Sequence, residues 1–235
     1  MQSIDLNADL GEEVTDDAAL LEVVTSANVA CGYHAGNATI MREVCERAAE
    51  LGVAVGAQVS YDDRANFGRV AVDVAGEVLR EQVADQVGRL GAIAAAAGTR
   101  VSYVKPHGAL YHRVLDDAEH AFAVLDGSGL LPLLTMPGLL ATSAADLGRQ
   151  VWHEGFPDRA YDERGRLVDR SQPGAVLEDG AAVVDHALRL AGTVDSLCLH
   201  GDTPGAVVRA RAVRGALEAA GWQLRHVPTS STGGG

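Results

Sequence analysis

The sequence predicts an α/β fold in which parallel strands close, or nearly close, into a barrel. Three observations lead there. Short apolar segments alternate with longer helical stretches along nearly all of the 235 residues. Several of the longer stretches stop at a glycine, and polar side chains gather where the short segments end. Seven or eight such units fit a closed parallel barrel better than an open doubly wound sheet, and right-handed crossovers would carry the chain from strand to strand.

Taken in order, the candidate strands are Ser3–Ala8, Ala27–Cys31, Val53–Ala57, Val101–Val104, Leu130–Leu134, Gln150–His153, Ser196–Leu199 and Gln223–Val227. Helices are predicted over Ala38–Leu51, Ala75–Ala97, Leu110–Leu125, Leu139–Leu147, Asp179–Leu190 and Pro204–Ala220. Gly52, Gly98, Gly192 and Gly221 are their stop signals, because glycine accepts the left-handed conformation that ends a helix. Asp162-Glu163-Arg164-Gly165, between Tyr161 and Leu167, reads as a small hairpin excursion. One domain over residues 1–227 accounts for the pattern, and the Thr/Ser/Gly-rich stretch 228–235 reads as a flexible tail.

Composition narrows the function. A formal charge of −13 argues against a broad nucleic-acid surface. No apolar run approaches the roughly 20 residues that span a bilayer, and the start Met1-Gln2-Ser3-Ile4-Asp5 lacks the features of a signal peptide. Cys31, Cys45 and Cys198 are odd in number and form no CxxC pair, which fits a reduced, cytoplasmic setting.

Active sites of parallel barrels form at the C-terminal ends of the strands, and three segments place chemistry there. In Ile4-Asp5-Leu6-Asn7-Ala8-Asp9-Leu10-Gly11-Glu12 the polar residues Asp5, Asn7 and Asp9 alternate with apolar ones and share a strand face. That face is either solvated at a sheet edge or turned inward at a barrel mouth, and a strand that opens an α/β chain should be central. In the second segment, Asn28 and His34 can face the same cavity. Asn37 there is suited to capping the next helix, whose first N–H groups could receive a carboxylate; Cys31 reads as a small buried residue rather than a nucleophile.

The third segment, Val104-Lys105-Pro106-His107-Gly108, holds the only lysine of the chain. Lys105 and His107 are two apart and can point the same way. An ammonium holds a carboxylate or developing negative charge, and an imidazole moves protons near neutral pH. Farther on, Glu154 and Asp158-Arg159-Ala160-Tyr161 follow one strand, and His200-Gly201-Asp202 follows another. Arg159 suits a bidentate grip on a substrate carboxylate, and equally a structural pairing with Asp158 or Asp162. His200 and Asp202 make either a structural pair or a site pair. His112, His120, His153, His186 and His226 lack such a setting.

Absences weigh too. There is no GxxxxGK[ST] to cradle ATP, no HExxH or HxH for a zinc protease or binuclear amidohydrolase, and no GxSxG elbow. A divalent ion among Asp9, His34, His107 and His200 stays open, since spacing cannot show convergence in space.

These segments together resemble the LamB/YcsF family. The matching stretches stand here as IDLNADLGE (Ile4–Glu12), SANVACGYHAGN (Ser26–Asn37), NFGR (Asn66–Arg69), VKPHGALY (Val104–Tyr111), DRAY (Asp158–Tyr161) and CLHGD (Cys198–Asp202). The resemblance implies a TIM-barrel-like fold of the glycoside hydrolase/deacetylase type. It also implies ATP-dependent opening of 5-oxoproline (pyroglutamate) to L-glutamate, shared with partner subunits B and C that would bind the nucleotide. On that reading Lys105 and the helix start at Asn37 bind carboxylate or phosphate, His107 or His200 moves protons, and Asp9 or Glu12 orients water. Asn7, Asn28, His34 and Arg159 would complete the substrate pocket. The family commonly reads GAHPSYPD where this chain has Gly56-Ala57-Gln58-Val59-Ser60-Tyr61-Asp62-Asp63. Gln58 cannot take a proton as imidazole does, which keeps two alternatives in view: a metal-dependent deacetylase or amidase without ATP, and a non-catalytic binding subunit.

Overall fold

The strand order of the computed structural model, which describes residues 2–14, 16–203 and 205–227, closes on itself through β1. β1 (Ser3–Leu10) pairs in parallel with β2 (Ser26–Ala30) on one edge and β7 (Ser196–Leu199) on the other. Between them run β3 (Ala54–Val59), β4 (Val101–Pro106), β5 (Leu133–Thr135) and β6 (Val151–Gly155), each parallel to its neighbours. The result is a closed seven-stranded parallel barrel. β8 (Gln223–Leu224) stays outside the ring as a stub on Ser3 and Ile4, shorter than the predicted Gln223–Val227 strand. The tail predicted over 228–235 lies outside the described residues.

Helices cover the barrel. α1 (Asp17–Leu21), absent from the sequence prediction, caps its own start when Asp16 accepts from Ala19 N. α2 (Ala38–Leu51) turns Met41, Val44, Cys45 and Ala48 inward and ends at Gly52 in the left-handed region. α3 (Gly76–Ala96) buries Leu79, Val83, Leu90 and Ala94; each large apolar side chain contributes about 1.5–3 kcal/mol on burial. Gln86 on the same face is also buried, and its amide clasps the backbone of Ser60 at 2.9 Å from both ends. α6 (Leu139–Asp146), α7 (Gly180–Leu190) and α8 (Ala206–Ala219) follow β5, β6 and β7.

Two predicted boundaries are corrected. The helix expected over Leu110–Leu125 is two, α4 (Gly108–Arg113) and α5 (Ala118–Gly127), because Asp117 restarts the chain by accepting from His120 N. The strand expected at Leu130–Leu134 starts only at Leu133, and Leu130 is 93 % exposed. The hairpin excursion is present as an antiparallel bridge between Tyr161 and Leu167. Among the described residues no helix is long and apolar enough to cross a membrane.

The interior is stacked in layers. Tyr103 and Trp152 meet edge to face at the base, joined by buried Leu134 and Val227. Gly56 makes room for Tyr103: a Cβ there would lie 2.2 Å from its ring. Two residues farther along β3, β4 and β6, the side chains toward the mouth are polar: Gln58, Lys105 and Glu154.

Candidate active site

Strand alternation sets Asp5, Asn7 and Asp9 of β1 on the inner face, and all three are buried. The solvated-edge alternative is therefore excluded for this strand. Asp5 receives the hydroxyls of Thr25, Ser26 and Ser196. Its carboxyl is nevertheless raised above the ordinary value, because burial outweighs those bonds. Above it, Asn7 donates to Glu154 Oε1 at 3.1 Å and to Ser196 Oγ at 2.6 Å. Asn28 donates to Asn7 Oδ1 at 2.6 Å and to Asp9 Oδ1 at 2.9 Å, and accepts from the Tyr103 hydroxyl at 2.6 Å. Asn7 and Asn28 are thus the floor beneath the site and do not line its cavity.

Lys105, on β4, reaches into this floor from the upper layer. Its ammonium lies 2.9 Å from Asp9 Oδ1, 2.9 Å from Glu154 Oε1 and 3.0 Å from Cys198 Sγ. Burial alone would strip the proton from a lysine, yet Asp9, Cys198 and Glu154 hold the Lys105 pKa well above its usual value. Burial likewise opposes the Asp9 carboxylate, but Lys105, His200 and His107 together hold it below the ordinary range. Glu154 goes the other way: burial raises it, against the pull of Lys105. One ammonium between two carboxylates leaves Glu154 the less fully compensated of the pair. The Tyr111 hydroxyl adds a 3.1 Å bond to Glu154 Oε2. Burial pushes the Cys198 thiol well up.

Lys105 and Asp9 open onto a cavity of about 310 Å³, whose walls include His107, Tyr111, His112, Phe156, Arg159 and His200. The cavity also takes in Arg69 and Arg170, giving it three guanidinium groups. Arg159 makes no ion pair with Asp158 or Asp162: its side chain donates to the carbonyls of Ala175 (3.2 Å) and Val168 (2.6 Å), fixing the excursion after β6 while it lines the cavity. His200 pairs with Asp158, whose Oδ2 is 2.9 Å from Nδ1, and not with Asp202. Asp202 instead binds Arg69 and Arg170. The Nδ1–H of His200 is committed to Asp158, so its Nε2 is the nitrogen able to exchange protons. His200 also donates its backbone N–H to Asp158 Oδ2 at 3.1 Å.

Glu12, His34 and His107 gather beside the cavity, His34 and His107 stacked with centroids 4.0 Å apart. Gln58 Nε2 lies 2.9 Å from Glu12 Oε1 and 2.8 Å from His107 Nδ1, while His107 Nε2 donates to Phe67 O at 3.1 Å. Burial, then the neighbouring His34, lowers the His107 pKa well below that of a free imidazole. Asn37 is placed elsewhere: exposed at the surface, it caps α2 by accepting from Thr39 N and Ile40 N at 2.9 and 3.1 Å. Two of the helix N–H groups expected to meet a ligand are thereby filled.

Glu154 is a site residue that the sequence marks only as following a strand, with no role, although its spacing from Trp152 puts the two on one strand face. Arg69, Tyr111 and Arg170 were missed as well, and His112 was counted as incidental although its ring borders the cavity. Arg170 carries no signal in the sequence, since it enters through an irregular loop.

Comparison with known proteins follows the same lines. The LamB/YcsF family model matches residues 4–232. A protein of Streptomyces avermitilis, named as the A subunit of 5-oxoprolinase, is 56 % identical over 93 % of this chain and 97 % of its own. The crystal structure of a lactam utilization protein from Thermus thermophilus superposes with a TM-score of 0.90 at 36 % identity, over 96 % of this chain and 100 % of that one. A family 4 carbohydrate esterase from Streptomyces lividans, at 11 % identity and a TM-score of 0.54 over 98 % of this chain and 95 % of its own, shares the fold alone.

Proposed function

The chain belongs to the LamB/YcsF family, and we propose that it is the A subunit of an ATP-dependent 5-oxoprolinase, opening 5-oxoproline to L-glutamate with partner subunits B and C. The observation that carries this reading is the Lys105 ammonium, held between Asp9 and Glu154 at the floor of a small cavity with an arginine rim. 5-Oxoproline offers one carboxylate and one lactam. The arginines suit the carboxylate, and the ammonium suits the negatively charged phosphoryl oxygens that activation places on the lactam oxygen.

A lactam is resonance-stabilised and resists attack. Transfer of phosphate from ATP to the lactam oxygen, by the partner subunits, would activate the ring carbon. Water then adds at that carbon, His200 Nε2 taking its proton while Asp158 steadies the imidazolium. The ring C–N bond breaks as nitrogen takes up a proton, and a second water releases phosphate from the acyl phosphate so formed. His107 is the poorer candidate for proton transfer, because both ring nitrogens are engaged.

Support comes from the names of the relatives, and the absence in the sequence of a P-loop agrees with a nucleotide step carried out by partners. Three unpaired cysteines fit a reducing compartment such as the cytoplasm. The test is glutamate release from 5-oxoproline by this chain with and without subunits B and C and ATP. Release should need all components and should fall at least about 100-fold in Lys105→Ala, the scale of one lost oxyanion donor. Release by the chain alone without ATP would instead favour an independent amidase, and unchanged turnover in Lys105→Ala would leave a binding role.

A further inference from the structure

Two groups of side chains in this barrel have the composition of a metal site, and they differ in what already fills them. Asp9, Cys198 and His200 form the first. The Lys105 ammonium lies 2.9 Å from Asp9 and 3.0 Å from Cys198, so this group already surrounds a cation. Glu12, His34 and His107 form the second, and no lysine or arginine pairs with any of them among the described residues. We propose that Glu12, His34 and His107 bind a divalent transition ion of the zinc class, in a closed site behind the wall of the cavity.

Geometry supports it. Four bonds of about 2.0–2.1 Å to zinc make a tetrahedron whose edges are about 3.3–3.4 Å. Glu12 Oε1 stands 3.5 Å from His107 Nδ1 and 3.7 Å from His34 Nε2, and the ligand atoms of the three residues lie within 4.8 Å of one another. The two Glu12 edges need only a few tenths of an ångström, while the His34–His107 edge, within 4.8 Å, closes when one imidazole turns out of the 4.0 Å stack.

Tautomer and burial point the same way. The Nε2–H of His107 is bonded to the Phe67 carbonyl, so its Nδ1 presents a lone pair toward Glu12. Ligand histidines are held in this manner, with the far nitrogen donating to a carbonyl. Phe67 holds that carbonyl in place with a φ of 58°, uncommon for a residue with a side chain, and packs edge-on against both imidazoles. His34 is 1 % exposed and neither ring nitrogen makes a hydrogen bond. Buried polar atoms ordinarily find partners, so this imidazole is the observation that calls for a ligand. Gln58 Oε1 is a third such atom beside it. A half-turn of the Gln58 amide moves that oxygen to where Nε2 now sits, 2.9 Å from Glu12 and 2.8 Å from His107, offering a fourth donor.

Glu12, His34 and Gln58 do not line the cavity, and the ion would touch it only through His107. That makes the site structural: it would fix His107 and the Phe67–Gly68 loop, whose Gly68 carbonyl receives Ala109 N at 2.9 Å. The inference does not depend on the activity proposed above.

Metal uptake by the purified full chain is the test, after chelator treatment and titration with Zn2+ alone. One equivalent should bind and raise the melting temperature. With Co2+ instead, the visible absorption should be that of a tetrahedral N/O site without a thiolate charge-transfer band. His34→Ala and Glu12→Gln should each weaken binding at least about tenfold, on the scale seen when a ligand or its support is lost, whereas His200→Ala should not. If either variant fails to fold, the wild-type cobalt spectrum still decides, since a thiolate band would move the ion to the cysteine cluster. No uptake by the wild-type chain, or binding lost in His200→Ala and kept in Glu12→Gln, overturns the proposal.

Discussion

Lys105 can be charged inside the barrel because Asp9 lies 2.9 Å away, with Glu154 and the Cys198 thiol close beside it. A buried ammonium costs several kcal/mol of desolvation, recovered only with close partners. Asp202 shows the same logic at the mouth, where it is 10 % exposed and takes Arg170 Nη1 at 2.7 Å along with Arg69. Burial opposes its carboxylate, but bonds from Arg170 and Arg69 hold its pKa below the usual range. A carboxylate depressed in the folded state adds stability that is fully present above its unfolded pKa, near 3.9, and is lost as pH falls toward the folded value. Asp202→Asn should therefore cost about 1–3 kcal/mol at pH 7, with the difference from wild type narrowing below about pH 4. Urea unfolding of both proteins from pH 3 to 7 measures it, and a deficit that did not narrow would show that the pairing is not what Asp202 contributes.

At the scale of elements, the upper and lower layers of the barrel depend on matched strands. β4 holds one extra residue where its register against β3 shifts between Val55 and Gly56. That shift sets Tyr103 opposite Gly56. In Gly56→Ala the new methyl would displace the Tyr103 ring, at 2.2 Å, and its 2.6 Å bond to Asn28. A cost of about 1–3 kcal/mol is expected for such overpacking, read as a lowered denaturation midpoint with unchanged m-value; a neutral effect would mean the ring has room to shift. The strand alternation that made β1, Lys105 and His107 legible in the sequence is the same regularity, since a period of two fixes which side chains share a face. Where no period exists, reading failed. Leu130-Leu131-Pro132 is an apolar run of the right length for a strand, but apolarity alone cannot set its start. Asp117 carried a helix-start signal inside the 110–125 stretch, hidden because apolar spacing runs on across it. His200 chose Asp158 over Asp202 through the packing of two separate loops, which linear spacing cannot report.

Across the whole molecule, the barrel divides its work by depth. Trp152 and Glu154 are neighbours on the same inner face of β6, one at the base with Tyr103, Leu134 and Val227, the other against Lys105. Barrels of this kind concentrate chemistry at the C-terminal face and stability at the opposite one. Trp152→Ala empties a packed base and should cost about 3–5 kcal/mol, while the fraction that stays folded keeps its turnover in the assembled complex. Glu154→Gln keeps the shape and the contacts with Asn7 and Tyr111 but removes an ionisable carboxyl that touches Lys105, so it should lower turnover far more than stability. The substitution also leaves Lys105 facing Asp9 as its one carboxylate, in an ion pair 2.9 Å long. Unfolding curves paired with glutamate release for both variants separate the two effects. Equal losses of stability and turnover in each would show that the layers are not independent, and that the polar floor of Asn7 and Asn28 transmits strain from base to mouth.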